Sequence, residues 1–405
     1  MNYQGKTIRG FTWLSLFRLL TRAISFLRTA ILARILLPAQ FGVFGIAAIV
    51  VSLLEILTET GINVFLIQER SNLKKYLNTA WAISIIRGVA VGLLIFIFAP
   101  LVGEFFRSEE SVGLIRLAGL IPFIRGFINP SIVKLQRDLK FKKEFIYNTS
   151  YFTLDAFVAI SVSYITKSPI GLVWGMISGV VLEVVFSHVL IKPSPKLEFD
   201  TRIVKKIIKR GKWVTMSGIF GFIAQEGDDT AVAKLMNTSS LGLYQVAYKI
   251  STLPLTEITR VVTRITFPVY SKIIHDKKRV IRAFLKTSIV TTLLVIPPGV
   301  ILFYFSDPII LLFLGKGWIE ASEVLKVLAV FGVLVALTDV PHSLLLAYKK
   351  QKWVAVLSMV RALGIVVLIV PFVLKWGIVG AAYASILSVL MVVPFASFYL
   401  YKIIK

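Results

Sequence analysis

Apolar runs of roughly twenty residues recur along almost the whole 405-residue chain. A helix of that length spans about 30 Å, which is enough to cross the hydrocarbon core of a bilayer. Hydrophobic residues make up 57% of the chain, and the mean hydropathy of +0.82 lies far above the values of soluble globular proteins. The runs therefore predict an all-α integral membrane protein with no room for a separate soluble domain.

The apolar runs can be assigned to twelve transmembrane helices. We expect these helices over residues 10–36, 42–67, 79–102, 112–134, 144–166, 170–191, 212–235, 241–268, 281–305, 321–347, 353–374 and 377–400. Lysine and arginine concentrate in every second connection, and such residues collect on the cytoplasmic side of a membrane. Both termini are therefore predicted to be cytoplasmic, in a multi-pass protein of the cytoplasmic (inner) membrane.

One pattern occurs twice, about 200 residues apart. The first copy reads Ala33-Arg34-Ile35-Leu36 and Phe41-Gly42-Val43-Phe44, and the second reads Ala233-Lys234-Leu235-Met236 and Leu241-Gly242-Leu243-Tyr244. Each half holds six predicted helices, so both copies insert the same way up, related by a pseudo-twofold axis along the membrane normal. We expect an N-terminal lobe over residues 1–191 and a C-terminal lobe over 212–405. The basic cytoplasmic linker over 192–211 is expected to lie on the inner membrane surface.

Composition excludes several classes of function. The formal charge of +25 would suggest nucleic acid binding in a soluble protein, but cytoplasmic loops account for it here, so no nucleic acid partner is expected. The absence of cysteine excludes disulfides and thiolate metal sites. His188, His275 and His342 lack metal-ligand spacing, and no catalytic motif is present. We therefore expect no metal, no cofactor and no enzymatic activity.

Charged residues inside the first two predicted helices are the informative polar positions, because a charge in lipid is costly. Arg18 and Arg22 lie one turn apart on a polar stripe, and Arg28 lies about a third of a turn away from it. Glu55 and Glu59 follow one turn apart on the second helix. Two interpretations are open: the helices neutralise each other through ion pairs, or some arginines remain available for an anionic substrate.

The second half places charges on the seventh and eighth helices. Asp228 and Asp229 lie on the seventh, and Glu257, Arg260 and Arg264 lie on the eighth. Within the predicted spans basic residues outnumber acidic ones, and that surplus favours an anionic cargo. Arginine is also the side chain best suited to bind phosphate, through its planar fork of donors.

Four passages carry a resemblance to a known family. They are Arg22-Ala23-Ile24-Ser25-Phe26-Leu27-Arg28, then Asp228-Asp229 with Leu241-Gly242-Leu243-Tyr244, then Leu253-Pro254 with Arg260, Arg264 and Phe267-Pro268, and finally Trp376-Gly377-Ile378-Val379-Gly380-Ala381-Ala382. With them the chain resembles the Wzx-like flippases. These form the polysaccharide-export branch of the multidrug/oligosaccharidyl-lipid/polysaccharide exporter superfamily.

The resemblance implies a flippase that moves an undecaprenyl- or dolichyl-linked oligosaccharide from the cytoplasmic to the outer leaflet, for O-antigen, capsule or exopolysaccharide synthesis. The implied partners are this substrate, membrane lipids, and a glycan polymerase or glycosyltransferases. Related lipid II flippases have two arginines spaced like Arg22 and Arg28, which line a cavity for the pyrophosphate. The candidate pyrophosphate ligands are Arg18, Arg22, Arg28, Arg260 and Arg264. The candidate cavity or coupling carboxylates are Glu55, Glu59, Asp228, Asp229 and Glu257.

Three alternatives stay open. A multidrug or cation antiporter of the same superfamily requires a cavity dominated by carboxylates, and the arginines argue against it. A membrane-embedded glycan polymerase or ligase usually has a large outward loop, whereas the longest outward connection predicted here, over residues 306–320, is short. A channel is the weakest alternative, because an internal duplication suits alternating access better than a fixed pore.

Overall fold

The computed structural model describes residues 20–58, 62, 66, 73–138 and 140–404. Across these residues the chain is helical, and the described part contains no strand. The all-α prediction is therefore confirmed. The arrangement of twelve spans in two lobes stays a prediction.

The helices of the first half follow the predicted spans closely, with one exception. They are α1 (residues 20–35), α2 (Pro38–Leu57), α3 (Leu73–Phe105), α4 (Glu109–Ala118), α5 (Leu120–Arg125), α6 (Val133–Arg137), α7 (Phe141–Thr166) and α8 (Ile170–Val189). The exception is the fourth predicted helix, which is split into α4, α5, a 3-10 turn (Pro130–Ile132) and α6. Asn129 adopts an extended conformation there, because the ring of the following proline disfavours the helical one.

The helices of the second half are longer. They are α9 (Thr201–Leu235), α10 (Thr238–Ile273), α11 (Lys277–Tyr304), α12 (Ser306–Phe313), α13 (Ala321–Ala347) and α14 (Gln351–Ile404), with a 3-10 turn at Lys316–Trp318. Within α14, Trp376 and Gly377 leave the helical conformation, and Gly377 has φ 58° and ψ −140°. That conformation strongly favours glycine. The break lies at the junction predicted between the last two spans.

Six of the described helices are long and apolar enough to cross a membrane. They are Pro38–Leu57, Tyr76–Phe105, Ile170–Val189, Lys277–Tyr304, Ala321–Ala347 and Gln351–Ile403. The helices α9 and α10, with 35 and 36 residues, also have sufficient length, but they carry the charged residues that the sequence marked as a site. The chain is therefore a multi-pass membrane protein. The charged candidate residues of its second half lie on α9 and α10, which are not among the six strongly apolar helices.

The linker between the halves is more ordered than the sequence predicts. Helix α9 begins inside it, where the Asp200 carboxylate accepts a hydrogen bond from the backbone N–H of Arg202 at 2.8 Å. Ile203 and Ile207 are buried in a cluster with Leu77. The apolar face of this segment therefore packs against protein, and its position on the inner membrane surface stays a prediction.

The described residues form two compact units. The first contains the residues up to Leu36 and those from Val43 to Ile219, and the second contains Leu37–Gly42 and the residues from Phe220 onward. These units differ in detail from the lobes predicted over 1–191 and 212–405, which stay a prediction.

The duplicated sequence pattern has a structural counterpart. Helices α1 and α9 end at residues 35 and 235, and helices α2 and α10 begin at residues 38 and 238. Within the second unit, a Cβ added to Gly42 would collide with the Thr238 carbonyl oxygen, and one added to Gly242 would collide with the Pro38 carbonyl oxygen. The recurring glycine thus allows the first turns of α2 and α10 to meet backbone to backbone.

Replacing Gly242 by alanine should destabilise the protein by about 1–3 kcal/mol, because the added methyl meets a carbonyl oxygen that belongs to a rigid helix start. Denaturant unfolding of the purified protein in detergent measures this change. Gly113→Ala is the control, since Gly113 lies in α4 with no atom within 4 Å of its added Cβ and should gain up to about 1 kcal/mol. Equal stability of both variants would contradict the contact.

Candidate functional site

The first compact unit contains a cavity of about 370 Å³ between α2, α3, α5 and α8. That volume is typical of a site for a small molecule. Its polar lining consists of Ser52, Glu55, Ser84, Arg87, Arg125 and Glu183. The cavity therefore combines two cations and two carboxylates within a bundle of otherwise apolar helices.

Glu55 and Arg125 form an ion pair at the cavity wall. Nη1 of Arg125 donates to both carboxylate oxygens of Glu55, at 2.7 and 2.9 Å. Arg87 donates through Nη2 to the backbone oxygen of Glu55 at 2.6 Å and through Nε to Oγ1 of Thr58 at 3.1 Å. A cation at the C-terminal end of α2 also complements the helix dipole. The sequence offered the arginines of the first helix as partners of Glu55, and the structure assigns Arg125 instead.

Glycines beside the two arginines bring their helices together. A Cβ on Gly88 would lie 2.6 Å from the Pro122 carbonyl oxygen, and one on Gly126 would lie 2.8 Å from the Ser84 carbonyl oxygen. Without a side chain at these positions, α3 and α5 approach at backbone distance. Since each glycine directly follows an arginine, this contact sets the guanidinium groups at the cavity.

Arg28 forms a second ion pair in the first unit. Its Nη1 donates to Oδ2 of Asp155 at 2.9 Å, and its Nη2 donates to the Leu172 carbonyl oxygen at 3.5 Å. The two side chains are only 18% and 13% exposed. A Cβ on Gly175 would lie 2.6 Å from Oδ1 of Asp155, so glycine allows α8 to pass close to the carboxylate. Arg28 is therefore held by α7 and α8.

The other arginines assigned to substrate binding are described to different extents. Arg22 lies half-buried on α1. Arg18 and Glu59 lie outside the described residues. Arg264 belongs to α10, but its side chain lies outside the description. Arg260 is half exposed, and its Nη1 donates to Oε1 of Glu257 at 2.6 Å, one turn earlier on the same helix.

The two aspartates of α9 are held by neutral donors in the second unit. The Tyr244 hydroxyl donates to Oδ2 of Asp228 at 2.8 Å, and Oγ of Ser385 donates to the same oxygen at 3.2 Å. Nε2 of Gln245 donates to Oδ2 of Asp229 at 2.8 Å. The side chains of α10 and α14 thus supply the hydrogen bonds that a buried carboxylate requires.

Among the described residues, no group of three or more histidine, cysteine, aspartate or glutamate side chains has a geometry that could hold a metal ion. The charged clusters of this part of the chain are therefore ion pairs and hydrogen-bonded carboxylates.

Four residues of these clusters were not selected from the sequence: Arg87, Arg125, Asp155 and Glu183. Each is a charge inside a predicted span, and that signal was available. Their partners lie on other helices, up to 127 residues away along the chain. The spacing pattern within one helix, which singled out Arg22 and Glu55, cannot reveal such pairs.

Comparison with known proteins gives a consistent result. A family model described as polysaccharide biosynthesis protein matches residues 31–323. The teichuronic acid biosynthesis protein TuaB of Bacillus subtilis (strain 168) is 26% identical over 350 residues, covering 84% of this chain and 70% of that protein. The lipopolysaccharide biosynthesis protein WzxC of Escherichia coli (strain K12) is 23% identical over 350 residues, covering 86% of this chain and 71% of that protein.

The fold is shared with a solved transporter. The lipid II flippase MurJ, in an inward closed conformation, superposes with a TM-score of 0.79 at 19% sequence identity. The match covers 96% of this chain and 87% of the MurJ chain. At that identity the likeness establishes the fold alone.

Asp155→Asn should destabilise the protein by about 3–5 kcal/mol, because it leaves the buried Arg28 guanidinium without a counter-charge. The double variant with Arg28→Gln should recover part of this loss. Unfolding in detergent provides the measurement. Asp138→Asn is the control, because the pair of Asp138 with Lys140 is exposed and should contribute less than about 1 kcal/mol. A loss no larger than that of the control would contradict the buried pair.

Proposed function

The chain belongs to the family of polysaccharide biosynthesis proteins, and we propose that it is a flippase for a lipid-(pyro)phosphate-linked oligosaccharide. The observation that carries the proposal is the family match, which extends over residues 31–323. Two relatives are named for teichuronic acid and lipopolysaccharide biosynthesis, and the fold is that of a protein named as a lipid II flippase. The chain thus moves a glycan precursor and is a transporter, not an enzyme.

The charge distribution favours this function over an antiporter for cationic drugs. The described lining of the cavity in the first unit contains two arginines and two glutamates, so these residues show no surplus of carboxylates of the kind that a cationic cargo requires. The residues predicted to form an outward loop also lack the size of a catalytic domain. They fold into α12 and a short turn, with Trp318 buried beneath. A glycan polymerase or ligase is therefore not favoured.

Translocation separates the two ends of the substrate. Sugar hydroxyls and phosphates are costly in hydrocarbon, so they cross through the protein while the lipid tail stays in the bilayer. In our proposal two six-helix lobes, residues 1–191 and 212–405 with the linker 192–211, rock around a pseudo-twofold axis along the membrane normal. Movement of the lobes exposes the headgroup first to the cytoplasm and then to the outside.

Arginines bind the pyrophosphate in this scheme. In this proposal Arg22 and Arg28 from α1 act with Arg260 from α10, and Arg18 and Arg264 are the further candidate ligands. Arg28 and Arg260 each donate to a carboxylate through Nη1, to Asp155 and Glu257 respectively, so a diphosphate competes with that carboxylate for the Nη1 donor. The carboxylates proposed for the cavity or for coupling are Glu55, Glu59, Asp228, Asp229 and Glu257.

The proposed location is the cytoplasmic (inner) membrane, with twelve spans and both termini in the cytoplasm. Lysines and arginines of alternate connections support this orientation. Glycosyltransferases that build the precursor and a polymerase that receives it are the proposed partners.

Deletion of the coding sequence from its host should abolish the surface glycan and accumulate the lipid-linked precursor, and the intact chain should restore export. Arg22→Ala and Arg260→Ala should each lower export about ten- to a hundredfold, because a charge-assisted hydrogen bond contributes roughly 1.5–3 kcal/mol. Arg→Lys should rescue only in part, since lysine lacks the fork of donors. Extraction and quantification of the glycan at matched expression measures these effects.

Arg34→Ala is the internal control for these variants, because Arg34 lies exposed at the end of α1 and should tolerate substitution. Normal export by the Arg22 and Arg260 variants would remove both residues from the substrate site and leave Arg260 as a structural partner of Glu257. Unchanged surface glycan after deletion of the chain would refute the flippase itself.

The orientation can be tested with single cysteines, because the chain has none of its own. Ser194→Cys in the exposed linker should react with a membrane-impermeant maleimide only after the cells are opened. Lys316→Cys, exposed in the turn before α13, should react in intact cells. Labelling of the linker cysteine from outside would overturn the twelve-span topology.

A further inference from the structure

We propose that the cavity of the first compact unit binds a neutral sugar ring of the glycan headgroup. This inference rests on the proposed function and deepens it, since it assigns the sugar a site separate from the pyrophosphate arginines. The cavity volume of about 370 Å³ suits a small polar ligand.

Arg125 presents a pair of donors that the protein leaves available. Only its Nη1 contacts Glu55, although the guanidinium carries five N–H groups. Within the described part of the chain, Nε and Nη2 of Arg125 donate to no protein acceptor, and the side chain is 42% exposed at the cavity. Two parallel N–H groups along one edge match two neighbouring oxygens of a ligand.

Glu183 presents acceptors in the same cavity. Its backbone oxygen accepts a hydrogen bond from the Tyr147 hydroxyl at 3.1 Å, which holds this part of α8 against α7. Its carboxylate accepts no hydrogen bond from the described residues, and it lies half-buried. An ionised carboxylate in such a position requires donors, and a hydroxyl-rich ligand provides them.

The charge balance selects the class of ligand. Among the described residues of the lining, the formal charges of Arg87 and Arg125 offset those of Glu55 and Glu183. A phosphate or carboxylate would add an uncompensated negative charge beside two glutamates, which is unfavourable away from water. A neutral sugar accepts from Arg125 and donates to Glu183 with no change in charge. The apolar part of the wall, including Val91, suits the C–H groups of its ring.

The site is held rigid before any ligand binds. Arg87 is fixed by two hydrogen bonds to the end of α2, and Glu55 is fixed by Arg125. Gly88 and Gly126 bring α3 and α5 into backbone contact at the cavity wall. A preorganised set of donors and acceptors lowers the entropic cost of binding.

Protection of a single cysteine tests the inference. Ser84→Cys places a thiol in the cavity of the full-length protein, and its alkylation by a small maleimide is measured in lipid nanodiscs. Glucose, galactose, N-acetylglucosamine, rhamnose and inorganic phosphate are the added probes. At about ten times its Kd, a bound sugar should slow alkylation roughly tenfold, because the rate follows the fraction of unoccupied sites. Ser168→Cys, in the turn between α7 and α8, should react at the same rate with every probe.

Two variants identify the residues responsible. In the Ser84→Cys background, Glu183→Gln and the charge-neutral pair Glu55→Gln with Arg125→Gln should remove the protection, whereas Glu110→Gln on the exposed start of α4 should keep it. Melting temperatures confirm that each variant is folded.

Protection by phosphate would overturn the neutral-sugar site, and so would equal reaction rates with all five probes. If no sugar protects the cysteine but the parent chain exports the glycan normally, the sugar site is refuted and the flippase function is not. If deletion of the coding sequence leaves the surface glycan unchanged, the proposed flippase function is refuted, whatever the alkylation rates.

Discussion

A charge inside a membrane-spanning helix must find a partner within the protein, because hydrocarbon offers none. In the first unit this constraint is satisfied by ion pairs between helices: Arg28 with Asp155, and Arg125 with Glu55. Each pair requires its helices to lie close together. Gly175 beside Asp155 and Gly126 beside Arg125 allow this close approach, because glycine has no side chain. The ion pairs thus help to fix the positions of α2, α5, α7 and α8, and the cavity lies between α2, α3, α5 and α8.

The second unit meets the same constraint in another way. The carboxyl groups of Asp228 and Asp229 accept hydrogen bonds from the uncharged side chains of a tyrosine, a serine and a glutamine. A carboxyl group held by neutral donors has no counter-charge beside it, whereas one paired with arginine does. The two halves are copies in helix boundaries and in the Gly42–Gly242 pattern, yet they differ in electrostatics. In the proposed transporter, such a difference would let one half bind the cargo while the other responds to a cation or to the membrane potential.

Much of the fold follows from the sequence, because hydropathy and the 200-residue repeat are local signals. They locate the ends of α1 and α9 and the break at Gly377. They do not locate the break at Asn129, where a proline inside an apolar run ends the helix, nor the burial of Ile203, whose partners lie far away in the chain. The candidate site is harder to predict from the sequence than the fold. Arg28 and Glu55 can be recognised in the sequence as charges inside apolar spans. Their partners Asp155 and Arg125 lie on other helices, and the spacing pattern of a single sequence does not reveal that packing.

The pairing of Arg28 bears directly on how a substrate could drive the protein. A diphosphate that binds Arg28 replaces one acceptor by another, so the guanidinium remains neutralised throughout. In that scheme Asp155 would lose the Arg28 cation while it lies largely buried, close to Gly175 on α8. That state is costly unless α7 moves to give the carboxylate water or a new donor. In the proposed mechanism, binding energy at the arginine would thereby drive a displacement of α7 relative to α1. The cost also falls away when the substrate leaves and the original pair reforms, which returns the first unit to its starting arrangement.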